Sequence, residues 1–295
     1  MKKELLLIPA LALLAACAGG KRGVSLTSEP SIERAFDVLE GTREGRPLVK
    51  FLRKHPVIFE YSNTAGLCHK FSLKTGKIFL PPEYKSSGKI LAVAVARAAY
   101  IYKLYSGTGL DEIIAEEEEL SALLAARLAV ELELLDGDFR KARGAEGLKA
   151  SFCAYILNGS RYAMEQARRQ ALAADSDCQR PLDTLESQRV WLERMRKAVN
   201  DGTFYQLIYD RDQLRVKRGA LTMSQAMKND AELRGLPAYE MYRYQRAFYD
   251  RQSDVVERFE KVRAGELRGD AEWRKGKQAV LDSAREEFSD CVLPD

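Results

Sequence analysis

Residues Gly88 to Tyr105 form an almost unbroken apolar stretch, GKILAVAVARAAYIYKLY, with Arg97 in its middle and Lys103 near its end. Rich in alanine and leucine and free of proline, such a stretch is a helix, and with apolar groups around its whole circumference it must be covered on every side. It is not a bilayer span, because Arg97 sits at its centre and its uncharged residues fall well short of the roughly 20 that a span needs. The fold is therefore built around a buried helix, and the remaining elements must jacket it. A chain of 295 residues that is 46% hydrophobic has the apolar side chains to do so.

The flanking segments supply candidates for that jacket. Asp111 to Asp136 places Ile113, Leu120, Leu124, Leu128 and Leu135 on one helical stripe. Before the apolar helix, Ser31 to Leu39 and Pro47 to Lys54 read as short helices. Val57 to Tyr61, Leu67 to Phe71 and Lys77 to Leu80 read as short strands, the last two joined by a turn at Lys74-Thr75-Gly76 and closed by Pro81-Pro82. Further helices are predicted near 147 to 174, 182 to 200, 222 to 234, 237 to 264 and 270 to 289. The expected class is α+β and predominantly α-helical, with a small antiparallel β element in the N-terminal half and an all-helical C-terminal half. The expected units are residues 31–140 and a helical region, residues 141–295.

Residues 1–16 read as a secretory signal: Lys2 and Lys3 precede an apolar run from Leu5 to Ala16 that ends in small side chains. The run closes on Leu14-Ala15-Ala16-Cys17, which resembles a bacterial lipobox. That resemblance implies cleavage before Cys17, acylation of Cys17 and a membrane anchor of effectively permanent hold. Residues 17–30 then serve as a lipidated tether. Ala18 and Gly19 follow Cys17, and the absence of Asp next to the cysteine resembles outer-membrane sorting, facing the periplasm, in a Gram-negative cell. Export permits disulfides, and four cysteines remain beyond Cys17, at 68, 153, 178 and 291. A helical break at Asn158-Gly159-Ser160 would let Cys153 reach Cys178, the pairing favoured here over free buried thiols.

The order of short helices, hairpin, Pro-Pro, apolar helix and Glu-bearing helix, carried by residues 41–54, by Thr75-Gly76-Lys77-Ile78-Phe79-Leu80 and by Ile90 to Tyr100, resembles bacterial zinc metallopeptidase-like (zincin) domains over roughly residues 38–135. In active members of that family the apolar helix carries His-Glu-x-x-His, two zinc-binding histidines on one face with a glutamate that activates water. Here those positions are Val93, Ala94 and Arg97. Valine and alanine neither ligate metal nor move protons, and arginine is a permanent cation. The resemblance therefore implies a degenerate site with no metal, no cofactor and no peptidase activity. The family's third ligand is a glutamate on the next helix, where Glu116-Glu117-Glu118-Glu119 stands. At 100° per residue Glu117 falls inside the apolar stripe, and Arg97 falls on the inward face of its own helix. An Arg97–Glu117 ion pair in place of the metal is the expectation, against a solvated acidic face with Arg97 turned outward.

Charge narrows the partners. With 47 Lys and Arg against 43 Asp and Glu, the net +4 is small for so many charges, which argues against nucleic acid as a partner. The helix bearing Tyr239, Tyr242, Tyr244, Phe248 and Tyr249 places Met241, Tyr242, Tyr244, Phe248, Val255, Val256 and Phe259 on one broad face, which reads as core. The function expected is that of a lipid-anchored envelope protein, a non-catalytic binding or scaffolding module whose partner is an envelope protein or an extended peptide added at the β edge. The alternatives are a purely structural lipoprotein and a hydrolase rearranged around His69 and the acidic run.

Overall fold

The computed structural model describes residues 26–62, 70–72, 76–106, 115–172, 184–217, 221–289 and 291. Helices α1 (Pro30–Glu40) and α2 (Gly45–Lys54) lead into three short strands, β1 (Ile58–Tyr61), β2 (Lys70–Ser72) and β3 (Lys77–Leu80). A 3₁₀ turn, Pro82–Ser86, delivers the chain to α3 (Gly88–Tyr105). Among the described residues only helices follow: α4 (Ala115–Glu131), α5 (Asp136–Lys141), α6 (Glu146–Asn158), α7 (Ser160–Leu172), α8 (Leu185–Asp201), α9 (Phe204–Lys217), α10 (Met223–Arg234), α11 (Ala238–Gly276) and α12 (Gln278–Glu287). The protein is thus predominantly helical with a small N-terminal sheet.

The sheet is mixed, in the order β1-β3-β2, which corrects the expectation of an antiparallel element. The β2–β3 pair is antiparallel, with Gly76 at φ +60° just before β3, a backbone that glycine adopts without penalty. β1 instead pairs parallel to β3, with Phe59 opposite Ile78 and Tyr61 opposite Leu80. Phe59, Ile78 and Leu80 are fully buried, and Phe59 meets Phe36 of α1 edge-on at 5.3 Å. The outer edge of β1 is not open. The Phe59 amide donates to the Leu26 carbonyl at 2.8 Å, and the Thr27 hydroxyl donates to the Phe59 carbonyl at 2.8 Å. The chain's own residues 26 and 27 occupy that edge of the sheet.

Ser87 caps α3 by accepting from the Ile90 amide, and the helix is buried on nearly all sides between α1, α2, the sheet, α4 and α11. α4 is its counterpart: every residue from Glu119 to Val130 is buried. Ala122, Ala125, Ala126 and Ala129 keep its surface low, so that α3, α6 and α7 can all approach it. Leu120, Leu124 and Leu128 lie in the core as the stripe requires. Leu135 is 54% exposed because α4 has ended and Leu135 stands at the N-cap of α5. The core runs without interruption across residue 140, where the sequence pattern predicts a boundary: Phe139, Phe152 and Phe288 pack together with ring centroids 5.1 to 5.9 Å apart.

That aromatic contact brings the chain end back to α6 and links Cys153 to Cys291, with Cα atoms 5.8 Å apart across 138 residues of sequence. The expected Cys153–Cys178 pairing is thereby corrected; Cys178 lies outside the described residues. Nor does the chain break near 265–269. α11 runs from Ala238 through Gly265 and Gly269 to Gly276, since contacts with α3, α4 and α7 outweigh the roughly 1 kcal/mol each glycine costs a helix. Its first half packs with α8, α9 and α10 around a separate small core of Met195, Ala198, Phe204, Ile208 and Leu233, bordered by Tyr244 and Phe248. Tyr242, expected in the core, is 57% exposed. Among the described residues no helix is long and apolar enough to cross a membrane.

Candidate functional site

At the positions of the degenerate motif, Val93 and Ala94 are 2% and 5% exposed and serve as core packing on α3. One turn on, Arg97 extends toward the first turns of α4. Its guanidinium forms an ion pair with Glu118 and donates from Nε to the Ser121 hydroxyl at 3.2 Å. The direct partner is thus Glu118, one residue beyond the Glu117 expected from helical phase. Burial lowers the Arg97 pKa, while Tyr84 and the nearby Glu117 carboxylate work to raise it. Val93, Ala94, Arg97 and Glu117 are brought into one neighbourhood, but as packing and ion pairing. Among the described residues no three His, Cys, Asp or Glu side chains converge on a point as metal ligands would. His55 closes α2 and stacks on Phe51 at 4.6 Å. His69 and Cys17 lie outside the described residues.

The acidic run is no solvated face. Glu116, Glu117 and Glu119 are 5%, 3% and 1% exposed. Lying in the first turns of α4, they gain from the positive end of its dipole. Their carboxylates then diverge to different elements. Glu116 accepts from the Leu185 amide at 2.9 Å and so caps α8, Glu118 holds Arg97, and Glu119 takes Arg263 of α11 at 3.0 Å and Arg168 of α7 at 3.4 Å. Burial pushes the Glu119 pKa up, against the opposing pull of Arg263. Three of these four successive residues, Glu116, Glu118 and Glu119, thereby join α4 to α3, α7, α8 and α11.

A second charged cluster, unforeseen from sequence, lies further along α4. Arg127, its side chain 5% exposed, bonds the Glu266 carboxylate, the Glu266 carbonyl at 3.0 Å and Asp270 at 3.2 Å. The Tyr155 hydroxyl donates to Asp270 at 2.9 Å and the Tyr100 hydroxyl to Glu266 at 3.2 Å. Burial would lower the Arg127 pKa, but Glu266, Tyr155 and Asp270 reverse this and hold it above its ordinary value. Burial, and then Asp270, push the Tyr155 phenol up. Glu44, half-buried nearby, is raised by burial; Arg127 opposes this, and Glu131 and Glu266 add to it.

Asp270 also reaches the floor of a surface cleft of about 540 Å³ between the α6–α7 junction and the end of α11. Ser160, Arg161 and Tyr162 line one wall, and Arg274 and Lys275 the other. The junction is a sharp corner at Gly159, with φ +88° and ψ −170°, a conformation suited only to glycine. Arg274 sits beside it, 3.7 Å from where a Cβ at residue 159 would be, and donates to the Tyr155 carbonyl at 2.6 Å. The sequence marks the corner through Asn158-Gly159-Ser160, but nothing in it tells that α11 returns alongside.

No protein-family model, no curated protein and no solved structure matches this chain.

Proposed function

We propose that the chain is a lipid-anchored protein of the bacterial cell envelope, held through Cys17, in which a degenerate zincin-like module serves as a non-catalytic binding or scaffolding unit. One observation carries this reading: the positions that would hold zinc ligands and a general base are Val93 and Ala94, packed in the core, and Arg97, committed to Glu118 and Ser121. Buried valine and alanine have no proton to move and no lone pair to give a metal, and a paired guanidinium repels one. The succession of α1, α2, the small sheet, the 3₁₀ turn, α3 and Glu-bearing α4 is the order on which the zincin resemblance rests. The leader with Cys17 and the Cys153–Cys291 disulfide both accord with export.

Scaffolding through another envelope protein is favoured over capture of an extended peptide at β1, because residues 26 and 27 already cover that edge. It is favoured further by the apolar side chains presented beside the small core, with Met223, Met227, Tyr239 and Tyr242 each more than half exposed. The test is metal analysis of the full-length chain in detergent after zinc loading and buffer exchange, together with palmitate labelling of wild type and Cys17→Ala. No retained zinc and Cys17-dependent label are expected. About one zinc per chain, lost in Glu117→Ala or Glu118→Ala, would overturn the non-catalytic reading.

A further inference from the structure

We infer that the cleft between the α6–α7 corner and the end of α11 binds a phosphate monoester group, held by the N-terminus of α7, Ser160, Arg161, Arg274 and Lys275. α7 spans 13 residues, and its first backbone hydrogen bond is donated by Ala163 to Gly159, which leaves the amides of Ser160, Arg161 and Tyr162 without backbone acceptors. Helix starts are ordinarily capped by an Asp, Asn, Ser or Thr oxygen, but the preceding residue here is glycine and offers none. A second observation points to a ligand independently. Ser160 is only 7% exposed and lines the cleft, and its hydroxyl has no hydrogen-bond partner among the described residues. An unused hydroxyl open to the cleft, on a residue otherwise buried at an uncapped helix start, joins the free amides as a set of donors for the oxygens of a tetrahedral anion.

The electrostatics agree. Arg161 and Lys275 both line the cleft and neither forms an ion pair with another described residue. Arg274 spends one nitrogen on the Tyr155 carbonyl and stacks over the Tyr155 ring at 4.9 Å, leaving guanidinium donors that carbonyl does not use. The acid in the cleft, Asp270, is already met by Arg127 and by the Tyr155 hydroxyl. The site therefore has an excess of uncommitted positive charge, and its volume exceeds that of the bare anion. The Tyr162 and Leu267 side chains offer apolar surface to an organic group carried by the phosphate. A phosphate monoester, with nearly two negative charges and three terminal oxygens, uses several cations and amide donors at once more fully than a carboxylate with one charge and two oxygens.

The test is titration calorimetry on the full-length chain in detergent, using phenyl phosphate and, separately, detergent–phosphatidylcholine mixed micelles with and without phosphatidic acid. Benzoate and phenol are the comparators. Arg161 and Lys275 are both exposed, so Arg161→Gln/Lys275→Gln is expected to keep the wild-type melting temperature while weakening binding by at least about tenfold. Ser160→Ala is expected to weaken it by a smaller factor. Binding of phenyl phosphate, or of the phosphatidic acid micelles alone, with that loss supports the site and identifies its source as soluble or lipid. Absence of binding to both, binding unchanged in the double variant, or benzoate binding as tightly as phenyl phosphate overturns it.

Discussion

Replacing Arg127 by methionine isolates the cost of the buried charge cluster from the cost of packing. Methionine fills much the same space, so the loss comes from the carboxylates left behind. Glu266, its side chain 30% exposed, can turn to water, whereas Asp270 at 7% cannot and keeps only the Tyr155 hydroxyl. Breaking one partner of a buried pair costs about 3–5 kcal/mol, and with Glu266 rescued by solvent the lower end, about 3 kcal/mol, is expected. Asp270→Asn should cost less, about 1–2 kcal/mol, because Arg127 retains both Glu266 contacts and the amide still accepts from Tyr155. In Arg127→Met/Asp270→Asn no buried charge is stranded, so the double variant should be more stable than the sum of the singles implies by about 1–2 kcal/mol. Urea unfolding in a Trp191→Phe background, followed by fluorescence of Trp273, whose ring lies 5.8 Å from the Arg127 guanidinium, reads all three variants. A loss below about 1 kcal/mol for Arg127→Met, or additivity within about 0.5 kcal/mol, would show that the cluster is not energetically coupled.

Glu44→Gln tests the same region through pH. The folded-state pKa of Glu44 lies above 4.5, so the folded chain binds the proton more tightly and its stability falls as pH rises from 4.5 through the folded value. The glutamine variant should match wild type below that window and exceed it at neutral pH, as read by urea midpoints across the range; an unchanged difference at all pH values counts against it. Reducing the Cys153–Cys291 bond, or substituting Cys291→Ser, should cost about 2–5 kcal/mol by freeing a long loop in the unfolded chain, measured as a fall in the urea midpoint of periplasmically expressed protein. The two tryptophans report different cores, so Trp273→Phe, which leaves Trp191 beside the small core, should show its transition at lower urea than Trp191→Phe; coincident transitions would mean that one cooperative unit holds both.

The parts of the fold that sequence reasoning reached are those fixed by local pattern. α3 is apolar all round and can only be interior, α4 shows its stripe, and the chain turns at Gly76 and Gly159 where the backbone takes positive φ. What it missed depends on segments that meet only in three dimensions. Helical phase placed Glu117 inward, yet the ion pair goes to Glu118, because a long arginine reaches across the α3–α4 contact to a residue a third of a turn away. The Cys153–Cys291 bond depends on Phe288 docking against Phe152. The cleft depends on α11 passing Tyr155, 115 residues distant from Asp270. Glycines at 265 and 269 suggested a break, since propensity cannot weigh the contacts that hold α11 straight.

Those contacts are unusual in kind, and they account for how α11 is placed. Arg258 caps the end of α3 by donating to the Leu104 and Ser106 carbonyls at 3.1 and 2.9 Å. Further along the same helix Arg263 meets Glu119, Glu266 and Asp270 meet Arg127, and Arg274 meets the end of α6. Apolar contacts from Val255, Val256, Phe259 and Trp273 supply burial, but greasy surfaces tolerate a slide of one turn better than charge pairs do. A one-turn shift would strand Arg127 and Glu119 in the interior, at several kcal/mol each. The charged contacts thus set the register of a helix about 58 Å long. Because that one helix contributes Arg274 and Lys275 to the cleft at its end and Tyr239 and Tyr242 to the exposed surface at its start, fixing its register fixes both sites at once.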